Sequence, residues 1–204
     1  MGVPAPPPLP SSAAPPPALS PEHLGQLAAA RASAGKIRRA ISIARFDGWT
    51  IATFAGLTLI CGLASPVSLV LGLGMGAAAF VELRAATRLR RLDPAAIRTL
   101  ACNQLALGSL LILYALFSLY VQFTGPGVYA QAAASDPALA DALRPFESLS
   151  RALSLGVYAL VILIAIFAQG GLALFYFSRA RHLHAYLAQT PPWIIRLHQA
   201  DLSL

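Results

Sequence analysis

The sequence predicts an all-α membrane protein with four transmembrane helices, on the basis of three observations. Hydrophobic residues make up 57% of the 204 residues and charged residues only 11%, whereas soluble domains carry about 25% charged residues. The hydrophobic residues are grouped in long runs, which is typical of membrane-spanning helices. Nearly all the basic residues flank these runs. Because a nucleic-acid interface would not require that distribution, we expect no nucleic-acid partner.

The segment before the first span divides into a tail and a helix. Residues 1–20 contain eight prolines and no charge, a composition that predicts a disordered tail. Ser20-Pro21 provides an N-cap and a first-turn proline, so a helix is predicted to begin there. Residues 21–47 are basic and amphipathic in helical spacing. This juxtamembrane helix is therefore expected to lie on the surface of an anionic membrane.

Four apolar stretches define a membrane domain over residues 48–181. Asp93-Pro94 predicts the start of the helix that contains the third span, and Pro145 that of the helix containing the fourth. Residues 182–204 are expected to form an amphipathic cytoplasmic tail. The predicted spans cover about 48–64, 66–83, 100–123 and 153–178.

The distribution of basic residues predicts the orientation. Thirteen of the fifteen lie on one side of the predicted spans, so the positive-inside rule places both termini in the cytoplasm. Arg-over-Lys usage suggests a GC-rich bacterial genome and hence the bacterial inner membrane. Trp49 and Trp193 are expected to be interface anchors. The residues assigned to orientation or to contact with anionic lipid headgroups are Arg38, Arg39, Arg45, Arg84, Arg88, Arg90, Arg91, Arg179 and Arg181.

Two segments share the pattern G-x3-F-x3-R-A, namely Gly76–Ala85 and Gly171–Ala180. Both run from outside to inside in the predicted topology. Two helical hairpins that arose by parallel duplication would produce this similarity. Chance similarity between apolar segments of limited alphabet remains the alternative.

Glycines in the second span predict close helix packing. The run Gly72–Ala77 matches the dinucleotide pattern G-x-G-x-x-A, but it lies inside an apolar run and not between a strand and a helix. Ser68, Gly72 and Gly76 are four residues apart, as in small-x3-small packing faces. Ser109 and Gln169 are expected to form an interhelical hydrogen bond. Further positions assigned to packing are Gly56, Gly108 and Gly171.

No sequence pattern predicts a catalytic site, a metal site or a cofactor. Glu82, Arg98, Asn103 and Gln104 are expected to meet at the cytoplasmic end of the second and third spans. A Glu82–arginine contact is the favoured interpretation, because a nucleophile and a second carboxylate at useful spacing are missing. His182 and His184 lie on nearly opposite helix faces, an arrangement unsuited to binding one metal.

These observations favour a non-enzymatic membrane protein that associates with itself or with another membrane protein through glycine faces. One alternative is a small oligomeric channel or transporter for an uncharged solute. No charged residue is predicted at mid-membrane, which disfavours ion transport. The other alternative is an intramembrane enzyme around Glu82, which an unchanged phenotype in Glu82→Ala would exclude.

Overall fold

The computed structural model describes residues 20–63, 65–125 and 137–201, and their regular secondary structure is entirely helical. The predicted disordered tail, except Ser20, and residues 126–136 between the predicted third and fourth spans lie outside the described residues. The elements are α1 (Pro21–Cys61), α2 (Pro66–Arg90), α3 (Pro94–Thr124), α4 (Pro137–Ile164), a π segment (Ala165–Gln169), α5 (Gly170–Gln189) and α6 (Pro192–Asp201).

Three helical stretches of the described chain are long and apolar enough to cross a membrane. They are Pro66–Arg90, Pro94–Thr124 and Pro145–Gln189, and they suggest a membrane protein. The predicted first span lies in α1 and is not among them. Its apolar part begins only after Asp47 and is interrupted by threonines, so its mean hydropathy is lower.

Local capping explains where three helices begin. Ser20, Ser65 and Asp93 each precede a proline, and each side chain accepts a hydrogen bond from a backbone N–H of the first turn. The predicted starts at Ser20 and Asp93 are confirmed. The predicted start at Pro145 is wrong, because α4 begins at Pro137 and continues through Pro145. A proline inside a membrane helix is tolerated when neighbouring groups satisfy the freed carbonyl.

The turn between α2 and α3 is a Schellman motif without glycine. Leu92 adopts a φ of 59°, its N–H donates to the Leu89 carbonyl, and the N–H of Asp93 donates to the Arg88 carbonyl. The Leu92 side chain is buried, which offsets the strain of the left-handed conformation. Asp93 caps α3 and also pairs with Arg88 at 2.8 Å.

α1 is one continuous helix of 41 residues. Ile37, Ala40 and Ala44, on the face assigned to the membrane surface, are buried against α2, α3 and α5. The prediction of a helix lying on the lipid surface is therefore wrong. α1 continues without a break through Gly48, where it lies close to Leu83 of α2.

α6 folds back onto the same end of the bundle. Ile194 is 4% exposed within the core, and the Trp193 ring makes an edge contact with His23 of α1 at 5.3 Å between centroids. Trp193 is therefore partly covered by protein. Its expected role as an interface anchor stays a prediction.

The bundle is organised around α3, which contacts α2, α4 and α5. We call the end at which α1 begins, α2 ends, α3 begins and α5 ends the basic end. Its core joins α1, α2, α3, α5 and α6. A second core, the central core, contains Ile51, Ala55, Leu71, Met75, Ala78, Ala79 and Leu107. α4 packs on α3 and the π segment, and the stretch that contains it is the least buried of the three apolar stretches.

Candidate functional site

A buried polar cluster lies where the basic-end core meets the central core. It consists of Asp47 from α1, Glu82 from α2, Asn103 and Gln104 from α3, and Tyr176 from α5. The buried side chains on either side of the cluster are apolar. The cluster therefore connects four helices through side-chain hydrogen bonds.

Glu82 is the centre of the cluster and is fully buried. Asn103 Nδ2 donates to Glu82 Oε2 at 2.7 Å and to the Ala78 carbonyl at 3.0 Å. Gln104 Nε2 and the Tyr176 hydroxyl donate to Glu82 Oε1 at 3.0 and 3.1 Å. Three donors thus replace the water that the carboxylate loses on burial.

Gln104 also bridges Glu82 to Asp47. Its Nε2 donates to Asp47 Oδ2, while its buried Oε1 has no hydrogen-bond partner among the described residues. Burial raises the pKa of Asp47, and the hydrogen bond from Gln104 partly offsets this rise. Among the described residues, no Lys, Arg or His lies within ion-pair distance of either carboxyl group.

The structure brings together three of the four polar residues that the sequence grouped. Glu82, Asn103 and Gln104 meet as expected, but Arg98 is exposed and lines a surface cavity beside Thr99. The predicted Glu82–arginine contact is therefore wrong. Asn103 and Gln104, adjacent on α3, already supply donors to both carboxylate oxygens.

Sequence reasoning missed Asp47 and Tyr176. Asp47 is the last acid before the predicted first span and Tyr176 lies two residues before the end of the fourth. Both therefore fall at the same predicted membrane depth as Glu82. Comparing polar residues by depth across all four helices would have found them.

The predicted packing glycines divide into two groups. A methyl group on Gly72 would lie 2.7 Å from Leu59 Cγ of α1, and one on Gly108 would lie 3.2 Å from Gln169 Cβ. These two positions allow close approach between helices. No atom of another helix lies within 4 Å of such a methyl group on the remaining three, Gly56, Gly76 and Gly171.

The other predicted packing residues make local contacts. Ser68 lies against Gly62 at the end of the α1–α2 connection. Ser109 Oγ donates to the Leu105 carbonyl of its own helix at 2.8 Å, and Gln169 Oε1 has no partner among the described residues. The predicted Ser109–Gln169 hydrogen bond is therefore wrong, because the serine hydroxyl finds an acceptor four residues earlier.

The arginines assigned to orientation are mostly exposed around the basic end. Arg179 is the exception, since it is half-buried with its guanidinium 4.7 Å above the Phe175 ring. Trp49 is 63% exposed at the start of the predicted first span. This exposure is compatible with contact to lipid.

A groove runs along the interface between α2 and α3. Three adjoining cavities of about 520, 260 and 360 Å³ form it, and neighbouring cavities share Ala106 or Leu110. We call this the α2/α3 groove. It extends from Arg98 to Phe117, roughly 28 Å at about 1.5 Å per helical residue. Its floor contains small residues, namely Gly74, Ala77, Ala78 and Ala106.

No protein-family model matches this chain, and no curated protein or solved structure is significantly similar to it.

Proposed function

We propose that this chain is a membrane-embedded assembly protein that associates with a second copy of itself through the α2/α3 groove. In this proposal it crosses a bacterial cytoplasmic membrane four times, with both termini in the cytoplasm. The exposed arginines of the basic end then face anionic headgroups, which attract such residues electrostatically.

The observation that carries the proposal is the length and lining of the α2/α3 groove. Its length of roughly 28 Å approaches the hydrocarbon thickness of about 30 Å. Small residues along its floor, such as Ala77 and Ala106, would let the backbone of another helix approach closely. Such a groove suits a membrane-spanning helix over most of its length.

The same chain carries a helix with a matching surface. Large side chains recur on α4 at intervals of three or four residues, and each is at least half exposed. We call this set the α4 ridge, which comprises Leu149, Leu153, Val157, Leu160 and Ile164. A second copy related by an axis along the membrane normal would present this ridge antiparallel to α3. The ridge would meet the half of the groove farther from the basic end, because Tyr158 lies beside Tyr114 and Ala165 beside Gly108. The partner we propose is therefore another copy.

The cores favour assembly over the two alternatives. The central core is lined by aliphatic side chains and Met75, which supports a packed interior more than a solute pathway. In the polar cluster, Glu82 is fully buried and is held by three side-chain hydrogen bonds from α3 and α5. This arrangement supports a structural connection between helices more than a carboxylate free to attack a substrate.

Groove-filling substitutions test the proposal. Ala77→Leu with Ala106→Leu adds bulk to two exposed positions of the groove and leaves the cores intact. We expect the dissociation constant of the dimer to rise at least about tenfold, or about 1.4 kcal/mol. Single-molecule subunit counting in lipid vesicles at graded dilution measures this constant. Thr53→Leu, at an exposed position of α1 outside the groove, is the matched control.

A mixing experiment identifies the partner surface. Leu153→Ala with Leu160→Ala should weaken the dimer from the ridge side. In a symmetric pair with two groove–ridge contacts, a groove variant mixed with a ridge variant keeps one intact contact. The mixed pair should therefore be tighter than either variant alone. Wild-type protein that stays monomeric, or mixed pairs no tighter than the variants, would rule out the proposed dimer.

A further inference from the structure

A cleft opens at the basic end between α1, α5 and α6. Its volume is about 470 Å³, within the range of small-molecule sites, about 300–1,000 Å³. Its walls include Leu27 and Ala34 of α1, Tyr186 of α5 and Ile194 of α6. We call it the basic-end cleft. It shares no lining residue with the α2/α3 groove and contains no member of the polar cluster.

Two arginines of α1 give the cleft a positive charge. Arg31 and Arg38 both line it and are exposed, and a spacing of seven residues places them on the same helix face. Arg38 Nη2 donates to the Arg31 carbonyl at 3.2 Å, so the Arg38 side chain folds back toward Arg31. Neither guanidinium forms an ion pair with a carboxylate of the described residues. The two positive charges at the cleft are therefore available to an anion.

Two further polar side chains line the same cleft from the other helices. His198 of α6 is half-buried, and Tyr186 of α5 is only 5% exposed. The Tyr186 hydroxyl has no hydrogen-bond partner among the described residues, although a buried phenol usually has one. This hydroxyl and an imidazole N–H of His198 can both donate to a ligand oxygen. The cleft thus offers donors from three helices.

The rest of the wall is apolar. Ile194 is 4% exposed, whereas Leu197, one turn later on α6, is 53% exposed. Leu27 is partly buried on the opposite wall. A ligand with an apolar group would remove part of the Leu197 and Leu27 surfaces from water, which is favourable. The lining therefore fits a molecule that combines an oxyanion with an apolar group.

We infer that the basic-end cleft binds a phosphate monoester that carries an apolar group. Guanidinium groups bind phosphate oxygens through paired N–H donors. Two of them balance the charge of a monoester, about −1.5 to −2 at pH 7. Phosphatidic acid of the membrane and a water-soluble organic phosphate share this chemistry. The site lies apart from the α2/α3 groove, so it does not depend on the proposed dimer.

Hexyl phosphate is a soluble probe for this site in the full chain, held in phosphatidylcholine nanodiscs. Isothermal titration calorimetry, corrected with empty nanodiscs, measures its dissociation constant. We expect Arg31→Gln with Arg38→Gln to raise this constant at least about tenfold, because two charge-assisted contacts are lost. Arg39→Gln is the matched control, since it removes a neighbouring exposed charge of α1 outside the cleft. It should change the constant less than about twofold, because exposed charges are screened by salt.

Inorganic phosphate tests the apolar wall separately. It should bind at least about tenfold more weakly than hexyl phosphate, because burial of about two methylene groups supplies that difference. Leu197→Ala should weaken the binding of hexyl phosphate and leave that of inorganic phosphate unchanged. This variant alters an exposed side chain and keeps all four polar groups of the cleft.

Nanodiscs that contain phosphatidic acid identify the source of the ligand. Phosphatidylglycerol, a phosphate diester, corrects for the negative surface charge. A dissociation constant of hexyl phosphate raised by phosphatidic acid but not by phosphatidylglycerol would identify a membrane lipid as the ligand. An equal constant in both would identify a soluble phosphate ester. The inference would be overturned by a lack of saturable hexyl phosphate binding, by an equal loss in Arg39→Gln, or by inorganic phosphate binding as tightly.

Discussion

At the residue scale, the hydrogen bonds to Glu82 explain how a fully buried carboxyl group is accommodated. Asn103 and Gln104 come from the same turn of α3, whereas Tyr176 reaches Glu82 from α5. Removing one partner of a buried charged group leaves it less satisfied, which costs more than an average hydrogen bond. The contribution of each donor to the free energy of unfolding should therefore be large enough to measure.

Tyr176→Phe should lower the free energy of unfolding by about 1.5–3 kcal/mol, because it removes a donor to a charged acceptor and keeps the ring. Chemical or thermal unfolding in detergent measures the change. Tyr120→Phe is the matched control, since the Tyr120 ring is 65% exposed. Equal stability of the two variants would mean that the Tyr176 hydroxyl contributes nothing to holding Glu82.

At the element scale, α2 packs closely against α1 at one of its glycines and leaves another of them open. Gly72 lies against Leu59, whereas Gly76, one turn further along α2, has no neighbouring helix within reach of a methyl group. The four-residue spacing identifies both as members of one helix stripe, but only part of that stripe meets α1.

Gly72→Ala and Gly76→Ala should have opposite effects on stability. The new methyl group at Gly72 would lie 2.7 Å from Leu59 Cγ, and relieving such overpacking costs about 1–3 kcal/mol. At Gly76 the methyl group meets open space, so higher helix propensity should leave stability equal or raise it by up to about 1 kcal/mol. Unfolding of the two variants in the same detergent compares them, and a larger loss at Gly76 would contradict the packing described.

At the scale of the whole molecule, α1 links the two cores. Ile37 and Ala44 pack in the basic-end core, and Ile51 and Ala55 pack in the central core. Because α1 is one continuous helix, it holds the basic-end core and the central core in a fixed relative position. It also fixes Asp47 between the two.

Reporter fusions test the proposed topology. A reporter fused after Leu204 and one inserted near Leu139 should report opposite compartments, because an odd number of spans would separate them. An enzymatic reporter active on only one side of the membrane provides the measurement. Activity of both fusions in the same compartment would exclude four spans with both termini in the cytoplasm.

Sequence alone predicted the features that depend on local chemistry. The starts at Ser20 and Asp93 follow from a cap and a proline, which act within a few residues. The continuity of α1 through Gly48 could not be predicted in this way, because a glycine beside Asp47 would also allow the helix to break there. Membership of the polar cluster could not be predicted either, because Tyr176 and Glu82 are 94 residues apart and meet only through the tertiary fold.

The π segment is a place where the deletion of one residue should preserve the helix. A π-helical turn holds one residue more than an α-helical turn, so deleting one residue from Ala165–Gln169 would leave a regular α-helix with α4 and α5 in their present orientations. Deleting one residue within α4 would instead rotate the preceding part of the ridge by about 100° relative to α5. Single-residue deletions should therefore be tolerated in the π segment and disrupt the dimer when placed near Leu160.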